Sequence, residues 1–222
     1  MLSALINEAH APPAATAELL PAGTVLAYTP ADTERGNKCK IEKALSSYDA
    51  DAAAAVDFLM HGSPHCTGIV GTVGFCLGGH LAFRTALLPT VKAAACWYAT
   101  DLHKAALGAT GDDTVARCAE IKGELLMFWG RQDPHVPLEG RAKVHAALAA
   151  AGTNFAWLEL NGAHAFMRDE NSYGRYDAEL ALITYELALK LFNRTLGGRL
   201  PALPTAAAAA DAGAPQASVV TN

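Results

Sequence analysis

The stretch "GTVGFCLGGHLAF", residues 71–83, runs from apolar residues into glycines around a cysteine and then into a helical pattern. Its centre, Gly74-Phe75-Cys76-Leu77-Gly78, reads G-x-C-x-G. This is the cysteine version of the G-x-S-x-G turn that presents a nucleophile between a strand and a helix. Glycines two residues either side of the nucleophile avoid collisions that larger side chains would make, and Gly74 and Gly78 occupy those places. Cys76 would then stand at a helix N-terminus, whose partial positive charge favours the thiolate, the reactive form. The backbone N–H of Leu77 would point toward the oxygen of a carbonyl under attack. The plain alternative for Cys76 is a small buried hydrophobe, which is what most free cysteines are.

A thiol used in this way needs a base, and the base needs an orienting acid. "FWGRQDPHVP" supplies Asp133 and "LELNGAHAF" supplies His164, each just past an apolar run. In an open α/β sheet, chemistry gathers at the carboxyl ends of the strands, where both residues fall. A histidine with an acid partner can take the thiol proton and later return it to a leaving group. The competing readings are an Asp-Pro turn start and a loop histidine. Other chemically able residues fit less well. Arg84 lies on the same predicted helix as Cys76, ~12 Å further along its axis, and is read as structural. His80 follows Cys76 by one helical turn, along the flank, and is read as packing. His61, His65 and Cys66 in "HGSPHC" have metal-like spacing, but the intervening Gly and Pro break a helical pair and no fourth ligand is in view. No metal and no cofactor is expected.

The elements that must position these residues follow from periodicity. Leu45, Tyr48, Ala52, Val56 and Leu59 recur at helical spacing from Ala44 to Leu59. "TGIVGTVGF", residues 67–75, is an apolar run suited to a strand buried on both faces. A helix over Leu77–Leu88 follows it. Next come the strand "KAAACWYA", a helical segment over His103–Glu120, the strand "ELLMFWG", a helix over Leu138–Ala151 and the strand "FAWLEL". A final helix over Ala178–Leu196 stops at Gly197-Gly198, with Leu180, Ile183, Leu187 and Leu191 as its buried face. Strands alternating with helices imply an α/β fold with a mostly parallel sheet flanked by helices. Residues 1–43, with "APPAA", "LPAG" and "ERGNK" as loop signals, are expected to be irregular, residues 44–198 to form the domain, and the Ala-rich residues 199–222 a disordered tail.

The order nucleophile, acid, histidine is that of the α/β-hydrolase triad. Through "GFCLGGHLAFR", "GRQDPHVP" and "GAHAFMRDE", the chain resembles the dienelactone hydrolase family, over roughly Asn37–Leu196. The resemblance implies a Cys-His-Asp triad, hydrolysis of lactones or related esters, and pairing of Arg168 with a substrate carboxylate. It also implies several strands upstream of the elbow, whereas residues 1–75 offer one short apolar run, "TVLAY", and no H-G-G-G segment for a second oxyanion donor. The expectation is therefore an α/β-hydrolase-like domain incomplete on its N-terminal side, its elbow strand presenting an unpaired apolar edge, a liability for self-association or for instability. The alternative to a hydrolase is a non-catalytic, N-terminally truncated homologue serving as an association or binding module.

Composition agrees with a small-molecule role. The 222 residues are 51% apolar, enough for one sizeable core, with a formal net charge of −5. No Lys/Arg cluster offers a phosphate-tracking surface, so no nucleic-acid partner is expected. No apolar run approaches the ~20 residues of a membrane span, and the N-terminus lacks signal-peptide character. Five cysteines without a C-x-x-C pair favour free thiols and a cytoplasmic setting.

Overall fold

The computed structural model describes residues 24–27, 29–169 and 173–197. Among them, four strands form one parallel sheet in the order β1 (Val70–Phe75), β2 (Val91–Trp97), β3 (Glu124–Gly130) and β4 (Phe155–Leu160). Helices α1 (Pro30–Glu42) and α2 (Leu45–Asp57) precede the sheet, and a π-helical turn, Phe58–Gly62, extends α2. Helix α3 (Leu77–Thr85) follows β1, α4 (Leu138–Ala150) joins β3 to β4, and α5 (Ala178–Thr195) closes the described chain. The last helix stops where Gly197 turns left-handed at φ 67°.

Alternating side chains divide the core in two, as a sheet covered on both faces requires. Ala94, Cys96, Leu125, Met127 and Trp129 pack with Val56 of α2, Phe83 of α3, and Val144 and Leu148 of α4. Their neighbours Ala93, Ala95, Trp97, Leu126 and Phe128 pack on the opposite side with Phe166 and with Ala188 and Leu191 of α5. Trp97 stacks on Phe128 at 4.6 Å and on Phe75 at 4.8 Å, so one aromatic row crosses β1, β2 and β3.

The structure departs from the sequence reading in four places. Helix α1 lies within the segment expected to be irregular. Thr29 caps it by accepting from the Asp32 N–H, Pro30 fills its first turn, and the "ERGNK" residues are helical. The helix expected over His103–Glu120 is instead two short 3₁₀ turns, Leu102–Lys104 and Cys118–Glu120. Between them Gly108 and Gly111 have φ of 73° and 75°, and Asp112 folds the loop by accepting from the N–H groups of Leu107 and Thr114. Strand β1 is not buried on both faces. It pairs only with β2 among the described residues, and Val73 and Phe75 are 41% and 40% exposed. Finally, α5 buries Thr184, Ala188 and Leu191 while Ile183 is 52% exposed, because the helix contacts β2 and β3 through a stripe rotated from the expected Leu180–Ile183–Leu187–Leu191 row.

Candidate functional site

The elbow forms where β1 meets α3. Cys76 takes φ 55° and ψ −121°, a conformation costly for a side-chain-bearing residue. Four backbone bonds hold it there. Its N–H donates to Trp97 O at 3.0 Å, and its carbonyl accepts from Gly79 N–H at 3.0 Å, Thr100 N–H at 3.2 Å and His80 N–H at 3.3 Å. The glycine requirement is only partly the one expected. A Cβ on Gly74 would lie 1.8 Å from Gly78 O, so no side chain fits at that position. A Cβ on Gly78 would meet nothing within 4 Å, whereas one on Gly79 would meet Trp97 O at 2.7 Å. The glycine that lets α3 close on β2 is thus Gly79, not Gly78.

Asp133 and His164 emerge from neighbouring strand ends that are laced together. Arg131 N–H donates to Leu160 O at 2.7 Å and Gln132 N–H to Gly162 O at 3.0 Å, while Gln132 Nε2 donates to Asn161 Oδ1 at 3.0 Å. The approach is close enough that a Cβ on Gly130 would stand 2.4 Å from Gly162 O. It brings Asp133 Oδ2 to 2.7 Å from His164 Nδ1, both side chains buried. The second carboxylate oxygen accepts from the His135 N–H at 2.8 Å, which fixes the plane of the acid. The Cys76 thiol lies on the same cleft, near enough to the His164 ring for the two to interact electrostatically.

The electrostatics of the pair run in opposite directions. Burial works to raise the Cys76 thiol, but the hydrogen bond and charge of His164 outweigh it, helped by the Thr100 hydroxyl and the Leu77 N–H, and the thiol ionises below its ordinary range. Burial works to lower His164, yet Asp133 and Cys76 push it up to about 9. Each partner favours the charged form of the other, and the arrangement can hold a thiolate beside an imidazolium. The Leu77 N–H contributes to the field that favours the thiolate.

A cleft of about 470 Å³ opens over Cys76 and His164, walled by Phe75, Tyr98, Met167 and Arg168. That volume suits a small organic ligand. Arg168 and Arg175 both stand in the wall. Several residues escaped the sequence reading. The Tyr98 ring packs edge-on 5.0 Å from the His164 ring, and the His135 ring 4.5 Å from it. Thr100 Oγ1 lies 3.7 Å from Cys76 Sγ. Tyr98 and Thr100 lie just past the carboxyl end of β2, the one strand end between the elbow and Asp133, and that position was the available signal. Arg84 is far from the cleft chemistry, bound to Asp49 and Asp113. His61 pairs with Asp57, and no group of metal-binding side chains occurs among the described residues.

Comparison with known proteins places this geometry. The model of the dienelactone hydrolase family matches residues 22–196, and the chain belongs to that family. It is 37% identical over 176 residues to a Saccharomyces cerevisiae protein named "Putative carboxymethylenebutenolidase", covering 77% of this chain and 64% of the relative. It is 32% identical over 140 residues to the carboxymethylenebutenolidase of Pseudomonas putida, covering 63% and 54% of the two chains. The chain therefore spans less than two thirds of the length of both. Among solved structures it is similar to a dienelactone hydrolase-like promiscuous phosphotriesterase from metagenomic libraries, with a TM-score of 0.62 and 21% identity over 80% of this chain and 72% of the other. The fold is that of an α/β-hydrolase. Among the described residues no strand precedes β1, and no helix is long and apolar enough to cross a membrane.

Proposed function

We propose that the protein hydrolyses a lactone or activated carboxylic ester through Cys76. The observation that carries this reading is the His164–Asp133 pair brought to the same cleft as Cys76, and the electrostatics, which lower the thiol and raise the imidazole, support it. With its proton passed to His164, Cys76 is the nucleophile. The thiolate attacks the carbonyl carbon, forming a C–S bond while the π electrons move to oxygen, beside the Leu77 N–H. Collapse of the tetrahedral adduct breaks the C–O bond, and the departing alkoxide takes the His164 proton. Water then attacks the acyl-thioester, giving its proton to His164 as the C–S bond breaks and the thiolate returns. Arg168, in the cleft wall, is the anchor for a substrate carboxylate, a role suited to a guanidinium fork.

A thiolate suits esters and lactones better than amides, because the amine is the poorer leaving group. The test is turnover of an enol-lactone or chromogenic ester by the full chain and by Cys76→Ala, with mass spectrometry of the protein after brief exposure to substrate. Hydrolysis that falls at least ~10³-fold in the variant, with an acyl adduct on the Cys76 peptide, supports the reading; equal rates end it. The exposed apolar residues Val73 and Phe75 on β1 favour a second reading, in which this edge associates with another copy and the cleft is idle. A monomer that turns over ester excludes it.

A further inference from the structure

His80 and Thr100 lie outside the Cys76–His164–Asp133 line, yet a connected set of bonds leads from one to the other and ends at the sulfur. His80 is fully buried on α3, one turn past Cys76. Its Nδ1 lies 2.9 Å from the Thr100 carbonyl oxygen, which only accepts, so Nδ1 carries a proton. Its Nε2 faces Asp112 Oδ2 at 3.4 Å. Asp112 is itself immobilised, accepting from Leu107 N–H at 2.9 Å, from Thr114 N–H at 3.0 Å and from the Thr114 hydroxyl. Burial works to raise its carboxyl, but His80 and these donors hold it well below the usual carboxylate range. Behind it, Arg84 binds Thr114 Oγ1 and Asp113 Oδ1, each at 2.9 Å.

His80 is therefore a fixed post, and Thr100 is fastened to it. The Thr100 carbonyl is held by His80, and its N–H is held by the Cys76 carbonyl at 3.2 Å. With its backbone pinned on both sides and its side chain buried, its hydroxyl stands 3.7 Å from Cys76 Sγ. A thiolate has no proton to give, so once Cys76 is ionised the hydroxyl can only be the donor. A donor directed at the charged form favours that form. Thr100 is thus a support for the sulfur additional to His164.

We propose that Thr100, clamped by His80, is a second polar arm on the nucleophile: its hydroxyl donates to Cys76 Sγ and keeps the sulfur turned to His164. This rests on Cys76 being the nucleophile of the hydrolase reading. Thr100 touches the reacting atom, and His80 is a positioning residue that acts through it. The titratable and charged groups around the sulfur are His164, backed by Asp133, Tyr98 at the end of β2, and Arg168, Asp169 and Arg175 in the cleft wall.

The experiment is iodoacetamide alkylation of Cys76 in the full chain as a function of pH, read by mass spectrometry of the Cys76 peptide, alongside ester turnover. Thr100→Val, close in shape but without a donor, is expected to move the alkylation inflection to higher pH and to slow alkylation at neutral pH by about three- to tenfold. Thr100→Ser should restore the wild-type profile. His80→Asn, whose amide N–H can still reach the Thr100 carbonyl, should stay near wild type, and His80→Leu should reproduce Thr100→Val. If His80→Leu does not fold, the Thr100 pair decides alone. An unchanged inflection in a folded Thr100→Val, judged by circular dichroism and melting, overturns the proposal. A shifted inflection in a chain that hydrolyses no ester leaves the arm standing and removes the hydrolase reading instead.

Discussion

The two edges of the sheet are built to different rules. At the β4 edge, Glu159 accepts from Trp157 Nε1 at 3.1 Å and pairs with Arg141 at 3.2 Å, and the His145 ring packs against Trp157 at 5.1 Å. Charge and side-chain cover are common devices for keeping an edge from pairing with another chain. At the β1 edge the strand reads Val-Gly-Thr-Val-Gly-Phe, without a charge, and its outward residues are half-exposed. That is the composition of an interior strand in an edge position. The proposed machinery is divided between the two regions. His164 follows β4 on a loop laced to the Asp133 loop, whereas Cys76 follows β1 and draws its support from β2 and α3. The precision of the elbow therefore depends on contacts made from one side of its strand.

Gly74→Ala should break that one-sided support most severely. Its new Cβ would stand 1.8 Å from the Gly78 carbonyl oxygen, and backbone opposes backbone with no flexible side chain to yield. Overpacking of this kind costs about 1–3 kcal/mol or more. We expect a lower melting temperature and a loss of ester turnover of at least ~10²-fold, because the nucleophile is displaced. Gly162→Ala, beside His164, meets Leu180 Cδ1 at 2.8 Å, a side-chain end that can move, and should cost less. Gly78→Ala, with open space around it, should cost no stability. Equal melting temperatures for Gly74→Ala and Gly162→Ala would remove the claimed asymmetry.

Asp133→Asn probes the laced side. The carboxylate is one of the two partners that push His164 up to about 9. Without it the imidazole pKa falls toward its ordinary value. The proton needed by the leaving group is then lost at lower pH, so the alkaline limb of kcat/KM, expected near 9 in the wild type, should move down the scale. The acid limb, set by the thiol, should move up, since a less cationic His164 supports the thiolate less. A narrowed bell and a rate loss on the order of 10²–10⁴ are expected. An unmoved alkaline limb would detach His164 from the chemistry.

The interior of the fold was legible because its signals are local. "ELLMFWG" and "FAWLEL" are apolar runs bounded by turn residues, and they coincide with β3 and β4. Cys76, Asp133 and His164 were findable because each follows such a run at the end where an α/β sheet does its work. What escaped depended on neighbours. "TGIVGTVGF" has the pattern of a strand buried on both faces, but face burial is conferred by what packs above and below the strand, and no pattern within β1 reports that. The segment His103–Glu120 reads as helical from its place between two strands, although Gly108 and Gly111, the breaks that turn it into a loop, are visible in the sequence. Helix α1, with no buried residue, gave no hydrophobic period to detect, only the Thr29-Pro30 start. Thr100 carries no motif; it matters through a peptide held by His80.

The smallest expected effect is the one that tests the β1 edge itself. Val73 is 41% exposed, and a lysine there can extend its ammonium into water while its methylenes cover the strand. If the edge is open, Val73→Lys should change the unfolding free energy by no more than about 0.5 kcal/mol, as ordinary surface substitutions do. It should also weaken any concentration-dependent association seen by light scattering, since an inserted charge opposes edge pairing. Should Val73→Lys instead destabilise the chain by several kcal/mol, a charge would have been forced into an enclosed apolar site. The edge would then be covered, and the contrast with β4 would be one of composition alone. The two outcomes differ enough that a single denaturant titration separates them, and turnover on the same sample shows whether the elbow senses what happens along its strand.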